Sequence, residues 1–284
     1  MGRGGGTLVA QSRASAVRGE KNVSAEPEEA GEVRVECRFV RERNALLCAG
    51  DFGPMFMDCY LHLGQNSVVL AGGADEQLKL LVATLTLHAA AQPRAVTCAW
   101  TLHLESERLN VFAVAENPTG NVTGQVFADH VREMGSSVLH SETASADGLR
   151  RRSSVDLPRQ GLLAAAEAYY EQSEQRAARY FDMGGDQFAL LAAQPDCDEE
   201  WLKNAHIDEI RRLAEDSSSA PLETRVYRFC CGCTPERIAK AIWPALSGDL
   251  EGVFGDDEHI RVSCPRCGSK HEIARELFAA FGAE

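Results

Sequence analysis

The sequence predicts an α+β protein in which a mixed α/β domain is followed by a partly helical linker and a small C-terminal domain. Two observations indicate this organisation. From residue 33 onward, segments with strand periodicity alternate with helical ones, and five of the ten cysteines fall in roughly the last fifth of the chain. A chain of 284 residues is long enough for two domains of unequal size.

The N-terminal segment, residues 1–32, is rich in Gly, Ser, Ala and Glu, and we expect it to be a disordered tail. Residues 1–19 contain three arginines and no acidic residue, which weakly resembles an organelle transit peptide. No apolar segment before a cleavage site is visible, so no secretory signal is predicted. We therefore expect a cytoplasmic protein, with organellar targeting as the alternative.

The N-terminal domain is predicted at residues 33–194. Its first segment, "VRVECRFV", places alternate residues from Val33 to Phe39 on one face of a half-buried strand. "ALLCAG" and "FMDCYLHL" are further strand candidates. The leucines of "DEQLKLLVATLTLHAAAQP" fall near helical spacing and predict a helix that Pro93 ends. Two or three strands, broken by Gly and Pro turns, are predicted between this helix and residue 128.

The rest of the chain is predicted as loop, helix, strand, linker and C-terminal domain. Residues 141–160 are polar and are interpreted as a loop, and "GLLAAAEAYYEQSEQRAARYF" is helical by composition. "QFALLAAQP" is the last strand predicted for the N-terminal domain. Residues 195–226 are polar and acidic with one short amphipathic segment, "HIDEIRRL", and form the predicted linker. The C-terminal domain is predicted at residues 227–284.

Charge and hydropathy argue against nucleic acid and membranes as partners. The net charge is −13, which disfavours a phosphate backbone as a general partner, and residues 227–284 hold seven Lys or Arg against nine Asp or Glu. No run of about eighteen apolar residues is present, so the sequence predicts no membrane span.

Five cysteines are scattered singly through the chain. Cys37, Cys48, Cys59 and Cys98 lie in apolar surroundings, and we interpret them as small buried hydrophobic residues. Cys197 lies in the polar segment "QPDCDEE" and is predicted to be an exposed free thiol. Unpaired thiols fit a reducing compartment.

The other five cysteines form two short motifs. "SCPRCGSKH" contains Cys264 and Cys267 in a C-P-x-C-G turn between two predicted strands, which is typical of the knuckle of a zinc ribbon. "YRFCCGCTPER" supplies a second pair, and its spacing leaves open whether Cys230 or Cys231 acts with Cys233. Zinc prefers four soft ligands in a tetrahedron, so one Zn²⁺ is predicted here. His271 could replace one thiolate.

The residues after the first motif predict a helix. Thr234 is its expected N-cap, Pro235 occupies the first position and Glu236 lies in the first turn. Ile238, Ile242 and Trp243 give it an apolar stripe. Four cysteine ligands leave no open position on a zinc ion, so catalysis by the metal is not expected and the chain is not predicted to be an enzyme.

These motifs carry a resemblance to a known family. The C-terminal signature of the redox-regulated chaperone heat shock protein 33 resembles the pattern formed here by Phe229, Cys231, Cys233, Glu236, Arg237, Cys264, Cys267 and Gly268. The segment Tyr169–Gln175 is similar to the family's Ser-Glu-Gln helix. The resemblance extends over about residues 33–284.

The resemblance implies an ATP-independent holdase. Reduced protein would hold zinc on Cys231, Cys233, Cys264 and Cys267, with Cys230 as an alternative thiol. Oxidation would form the disulfides Cys231–Cys233 and Cys264–Cys267, release zinc and unfold the C-terminal domain. The protein would then bind unfolded or aggregating clients as a homodimer, with neither nucleic acid nor a membrane as partner.

Physical chemistry is consistent with such a switch, because a domain of about 55 residues buries too little surface to be stable alone and metal binding can supply its folding energy. Two departures from the family, the additional Cys230 and a short linker, leave alternatives open. One is a zinc-stabilised adaptor for a specific protein, and another is a constitutive holdase without redox switching. A thiol–disulfide oxidoreductase is disfavoured because no βαβ pattern surrounds the cysteines.

Overall fold

The computed structural model describes residues 1–2, 31–70, 72–157, 161–215, 218–279 and 281. The predicted tail at residues 1–32, with its transit-like segment, therefore lies outside the described residues except at its two ends. The fold is mixed α and β, as predicted, and a small hairpin carries two of the C-terminal cysteines.

Within the described residues, ten strands form one sheet and two form a separate hairpin. The strands are β1 (Glu32–Val40), β2 (Ala45–Asp51), β3 (Val96–Leu104), β4 (Leu109–Glu116), β5 (Asn121–Phe127), β6 (Val138–Ser145), β7 (Arg150–Asp156), β8 (Ala178–Gly184), β9 (Gln187–Ala193), β10 (Ser219–Phe229), β11 (His259–Ser263) and β12 (Lys270–Ala274). The large sheet has the order β7-β6-β3-β4-β5-β10-β1-β2-β9-β8. Strand β10 pairs antiparallel with β1 and parallel with β5, so it joins the two halves.

The helices lie on both faces of this sheet and in the C-terminal domain. They are α1 (Gly53–Gln65), α2 (Ala74–Ala90), α3 (Leu162–Tyr169), α4 (Glu199–Asn204), α5 (Ile207–Glu215), α6 (Pro235–Leu246), α7 (Leu250–Phe254) and α8 (Arg275–Ala279). Helices α1, α2 and α3 share the main core with one face of the sheet. Helices α4 and α5 cover the other face through Leu202, Ile210 and Leu213. No helix among the described residues has the length and apolar character to cross a membrane.

Helix α2 confirms the predicted central helix. Leu78, Leu81, Leu85 and His88 are all buried against the sheet. The predicted strands "ALLCAG" and "QFALLAAQP" correspond to β2 and β9, and the region before residue 128 contains β3, β4 and β5.

The alternation predicted for β1 places Val33, Val35 and Cys37 in the main core, while Phe39 is half-buried. Val40 is buried on the opposite face of the sheet, in the core that α4 and α5 cover. The register of β1 with β10 shifts after Cys37 because it skips Leu222 of β10, whereas the pairing of β1 with β2 is regular.

The strand predicted for "FMDCYLHL" is wrong, because this segment lies in α1. Pro54 occupies the first turn of that helix, where its missing N–H costs nothing. Met55, Phe56, Cys59 and Leu63 are buried at helical spacing.

The loop predicted at residues 141–160 is also wrong, because most of it forms β6 and β7. Strand β7 is an edge of the sheet and carries three exposed arginines, of which Arg150 and Arg152 pair with Glu142. Charged residues protect an edge strand from pairing with other chains, and here they hid its strand character in the sequence.

The long helix predicted from residue 161 is shorter than expected. Regular α-helix ends at Tyr169, a π-helical turn follows at Tyr170–Glu174, and Gln175 ends it in a left-handed conformation with φ 53°. The "ARYF" segment already belongs to β8.

The predicted linker, residues 195–226, contains more regular structure than the sequence indicated. It includes α4, α5 and the first residues of β10, which lies inside the ten-stranded sheet. Four of the scattered cysteines are buried as predicted, but Cys197 is half-buried rather than exposed. Strand β10 leads directly into the C-terminal cysteines, and this position determines where they lie.

Candidate metal centre

Four cysteine sulfurs from two separate elements meet in the C-terminal domain. The Sγ atoms of Cys231, Cys233, Cys264 and Cys267 all lie within 4.8 Å of one another. The closest approaches are 3.7 Å between Cys231 and Cys264 and 3.6 Å between Cys233 and Cys267. A tetrahedral zinc site with Zn–S bonds of about 2.3 Å has sulfur–sulfur edges of about 3.8 Å. The four residues therefore fit a tetrahedral zinc ion.

The turn between β11 and β12 positions the second pair. The amide of Cys264 donates to the carbonyl of Ser269, and the amide of Gly268 donates to the carbonyl of Cys264, both at 2.8 Å. Gly268 has φ +76°, a conformation that L side chains rarely adopt. The C-P-x-C-G spacing thus closes a tight knuckle that directs both sulfurs to one point.

The end of β10 and the start of α6 position the first pair. Gly232 turns the chain between the two cysteines with φ +61°. The Thr234 hydroxyl caps α6 by accepting from the amide of Arg237 at 3.3 Å, as predicted, and the Arg237 guanidinium donates to the carbonyl of Gly232 at 2.6 Å. The Thr-x-x-Arg sequence therefore fixes the loop that carries Cys231 and Cys233.

The core around the four cysteines is small. Its buried members are Ile238, Ala239, Phe254, Cys264, Cys267, Ile273 and Phe278. The Phe278 ring contacts those of Phe254 and Trp243 at centroid distances of 5.7 and 6.2 Å. Two of the buried side chains are thus thiols of the site itself, so the folding of this domain and the state of its sulfurs are coupled.

Two further sequence candidates lie beside the four sulfurs. The backbone amide of Cys230 donates to Val122 of β5 at 2.8 Å, and its side chain is not part of the sulfur group. His271 Nε2 lies 3.3 Å from the sulfur of Cys233, where it can hydrogen-bond to the thiol. The structure therefore groups Cys231, not Cys230, with Cys233.

The thiols are not equivalent. Hydrogen bonding by Cys231, together with that by His62 and Ser269, lowers the pKa of the Cys267 thiol, while burial raises the pKa of Cys233 to about 12. Four thiolates so close together repel one another, so a dication is needed to ionise all of them. The donor set is therefore suited to a metal that binds sulfur strongly.

The knuckle also docks against the N-terminal domain. His62 of α1 places Nε2 at 2.8 Å from the carbonyl oxygen of Cys267, and since a carbonyl only accepts, this nitrogen carries the proton. Arg266 pairs with Glu116 at the end of β4. The amide of Lys270 donates to the Asn66 side chain at 3.3 Å. No sequence pattern signals these contacts, because their partners lie far apart in the chain.

Comparisons with known proteins find similarity in both sequence and fold. A sequence model of the family described as "Hsp33 protein" matches residues 186–274. The 33 kDa chaperonin of Edwardsiella ictaluri is 23% identical over 167 residues, 50% of this chain. The crystal structure of a 33 kDa chaperonin (heat shock protein 33 homolog) from Thermotoga maritima covers 90% of this chain and all of its own, with a TM-score of 0.64 at 15% identity.

Residues 186–274, less than half of the chain, are similar to the Hsp33 family. The match spans 57% of the length of the 33 kDa chaperonin from Edwardsiella ictaluri. The matched family region includes all four grouped cysteines as well as β10, α6 and the β11–β12 hairpin. His62 and Glu116, which contact the knuckle, lie outside that region.

Proposed function

We propose that this chain is a member of the Hsp33 family and an ATP-independent holdase chaperone activated by oxidation of a zinc-bound four-cysteine site. The observation that carries the proposal is that four sulfurs lie within 4.8 Å of one another inside a domain with a very small core. Bound zinc would supply folding energy of about 10–16 kcal/mol to such a domain. The domain assignments 33–194, 195–226 and 227–284 for client-binding and dimerisation domain, linker and redox domain are part of this proposal.

Oxidation acts on the sulfurs themselves. With peroxide as oxidant, each pair of thiols loses two electrons and two protons, and one peroxide becomes two waters per disulfide. A disulfide bond length is about 2.05 Å, so bonded sulfurs cannot keep the separations of a tetrahedral site. We propose the pairs Cys231–Cys233 and Cys264–Cys267. The sulfurs approach equally closely across the two motifs, so peptide mapping is the measurement that distinguishes the pairings.

Loss of the folded domain would change the surface of the N-terminal domain. The contacts of the knuckle with His62, Glu116 and Asn66 would break together. Helix α1, which contains His62 and is followed directly by Asn66, already exposes Met57, Tyr60 and Leu61. An enlarged apolar surface beside these side chains is the kind of surface that binds unfolded polypeptide. Binding of such clients by a homodimer, in the cytoplasm, completes the proposal.

One observation favours the alternative of a constitutive holdase or a zinc-stabilised adaptor. Strand β10 connects the linker to the cysteines and is hydrogen-bonded between β1 and β5 in the large sheet. A connection held in this way resists unfolding more than a free helical linker would. Gating by oxidation could therefore be weak even where zinc binding is strong.

The test is to treat reduced, zinc-loaded protein with peroxide at raised temperature. Zinc release and suppression of the aggregation of a heat-unfolded client are measured on the same samples. Zinc release with a large gain in suppression supports the redox switch. Retained zinc with unchanged activity supports the alternative. A Cys197→Ser variant, altered outside the site, should behave like the natural sequence.

A further inference from the structure

A second pair of thiols lies in the core of the N-terminal domain, away from the candidate metal centre. Cys37 of β1 and Cys48 of β2 are directly opposite each other in the antiparallel register. Their sulfurs are 3.5 Å apart, with the Cys48 thiol donating to Cys37. Both side chains are buried, with 3% and 0% of their surface exposed.

This geometry is close to that of a disulfide. Directly opposite residues of antiparallel strands have Cα atoms about 4.5–5.5 Å apart, inside the range of about 4.4–6.8 Å found in disulfides. The sulfurs need only approach by about 1.5 Å to reach the bond length of about 2.05 Å. We propose that Cys37 and Cys48 form a second redox-active dithiol, which peroxide oxidises to a cross-strand disulfide when β10 loosens from β1.

The proposed reaction has a defined nucleophile. The hydrogen bond from Cys48 lowers the pKa of the Cys37 thiol, against the effect of burial, and the positive charge of Arg225 acts in the same direction as the hydrogen bond. The Cys37 thiolate attacks peroxide, giving a sulfenic acid and hydroxide. This hydroxide takes the proton of the Cys48 thiol and becomes water. The Cys48 thiolate then attacks the sulfenic sulfur, and the S–O bond breaks as the oxygen takes up the proton that Cys37 had lost and leaves as the second water. In total two thiols and one hydrogen peroxide give one disulfide and two waters.

Access to the dithiol depends on β10. Glu223 of β10 is the register partner of Cys37, at the position where the pairing of β1 with β10 is irregular. Arg225, on the same strand, donates to the carbonyls of Ala89 and Gln92 at 3.2 and 2.7 Å. The Cys37 thiol itself lies 3.7 Å from the carbonyl of Ala90. Arg225 therefore holds β10 against the C-terminal end of α2, over the buried thiols.

Strand β10 continues into Cys230 and Cys231. Loosening of the C-terminal domain would therefore also loosen β10 and Arg225, which together cover the two buried thiols and are called the cover below. The inference extends beyond the proposed function without resting on it, since the two thiols and their cover belong to the N-terminal domain.

Cys59 and Cys98 provide internal controls. They are equally buried single thiols, and burial raises the pKa of each to about 12.

The experiment uses the full-length, zinc-loaded protein. It is exposed to hydrogen peroxide at increasing temperature, unfolded in the presence of an alkylating reagent, digested and mapped by mass spectrometry. We expect a peptide pair linked through Cys37 and Cys48 that increases with temperature and disappears after reduction. Cys59 and Cys98 should remain free to react with the alkylating reagent.

Two variants test the role of the cover. Arg225→Ala removes hydrogen bonds that hold β10 and also the charge that lowers the pKa of Cys37. Because exposure of the buried thiols limits the reaction, the variant should still form the linked peptide about tenfold faster. Arg228→Ala, on the same strand but exposed, should not change the rate. The proposal would be overturned if Cys37 and Cys48 stayed unlinked under conditions that fully oxidise the C-terminal cysteines, in both the natural sequence and Arg225→Ala. Linkage without zinc release would support it while contradicting the zinc switch.

Discussion

The guanidinium of Arg266 lies 2.5 Å from the carboxylate of Glu116, joining residues that are 150 positions apart in the chain. Arg266 stands between the two cysteines of the knuckle, and Glu116 ends β4 of the large sheet. Both side chains are largely buried, with 32% and 21% of their surface exposed. This ion pair therefore ties the candidate metal centre to the N-terminal domain.

Replacing Arg266 by Ala should loosen that attachment while leaving the four cysteines in place. We expect a cost of about 1 kcal/mol, since a partly buried pair contributes more than a fully exposed one. Hydrogen exchange should become faster in the β11–β12 hairpin and at the end of α1, with zinc content unchanged. Arg261→Ala is the matched control, because its pair with Glu272 is highly exposed. Equal exchange in both variants would contradict a docking role for Arg266.

The two neighbouring cysteines of the first motif should differ in effect. Cys231→Ser removes a sulfur from the group of four and should abolish binding of one zinc per chain. Cys230→Ser should leave it intact, because that side chain is outside the group and the backbone amide it keeps bonds to Val122. Zinc content measured after gel filtration in the presence of a weak chelator distinguishes the variants. Loss of zinc in Cys230→Ser alone would reverse the assignment.

Phe278 is a fully buried side chain of the small C-terminal core, with 0% exposure. Truncation to Ala should cost about 3–5 kcal/mol, the usual penalty for a buried phenylalanine. Because the core also contains two of the cysteines, zinc affinity should fall together with the protection of α6 from hydrogen exchange. Val253→Ala, at an exposed position of the same domain, should alter neither. Unchanged zinc affinity in Phe278→Ala would separate folding from metal binding.

His88 predicts a pH dependence of stability. Burial lowers its pKa from 6.5 to about 4, and its Nδ1 lies 3.0 Å from the Tyr170 hydroxyl. The unfolded chain therefore binds a proton near pH 6.5, whereas the folded chain does so only near pH 4. The contribution of neutral His88 to the free energy of unfolding is complete above pH 6.5. It declines by up to about 3 kcal/mol as the pH falls towards 4.

Urea unfolding of the N-terminal domain between pH 7 and pH 4 measures this effect. His88→Gln keeps a hydrogen-bonding side chain that does not titrate, so its stability should fall less steeply than that of the natural sequence. Against the effect of burial, the charges of His88 and Arg151 also lower the pKa of Glu174 in the fold, so the loss of stability that Glu174 causes at lower pH should be smaller in His88→Gln. His206→Gln, at an exposed position, is the control and should leave the slope unchanged. If the free energy of unfolding fell equally steeply with pH in His88→Gln and in the natural sequence, a neutral buried His88 would be contradicted.

Local patterns predicted much of the C-terminal domain. The C-P-x-C-G turn, the Thr234 cap and the strands around the knuckle depend on residues close in sequence, so their chemistry is visible there. The position of Cys231 rather than Cys230 in the sulfur group was not predictable from spacing. It follows from the hydrogen bond of the Cys230 amide to β5, which requires the parallel pairing of β10 with that strand.

Long-range contacts account for what the sequence did not reveal. The arginines of β7 made an edge strand look like a loop, because its partners Glu142 and Glu174 lie on other elements. The closeness of Cys37 to Cys48 likewise depends on the register of two strands. Each thiol alone is consistent with an ordinary small buried residue.

The central claim is that metal bound by four sulfurs keeps the C-terminal domain folded. Hydrogen exchange of reduced protein, with one equivalent of zinc and after its removal by a strong chelator, tests this most directly. We predict that α6 and the β11–β12 hairpin lose protection from exchange without zinc, while α2 stays protected. Added zinc should restore the protection of α6 and the hairpin. Reduced, metal-free protein that retains full protection in α6 and the hairpin would contradict the account.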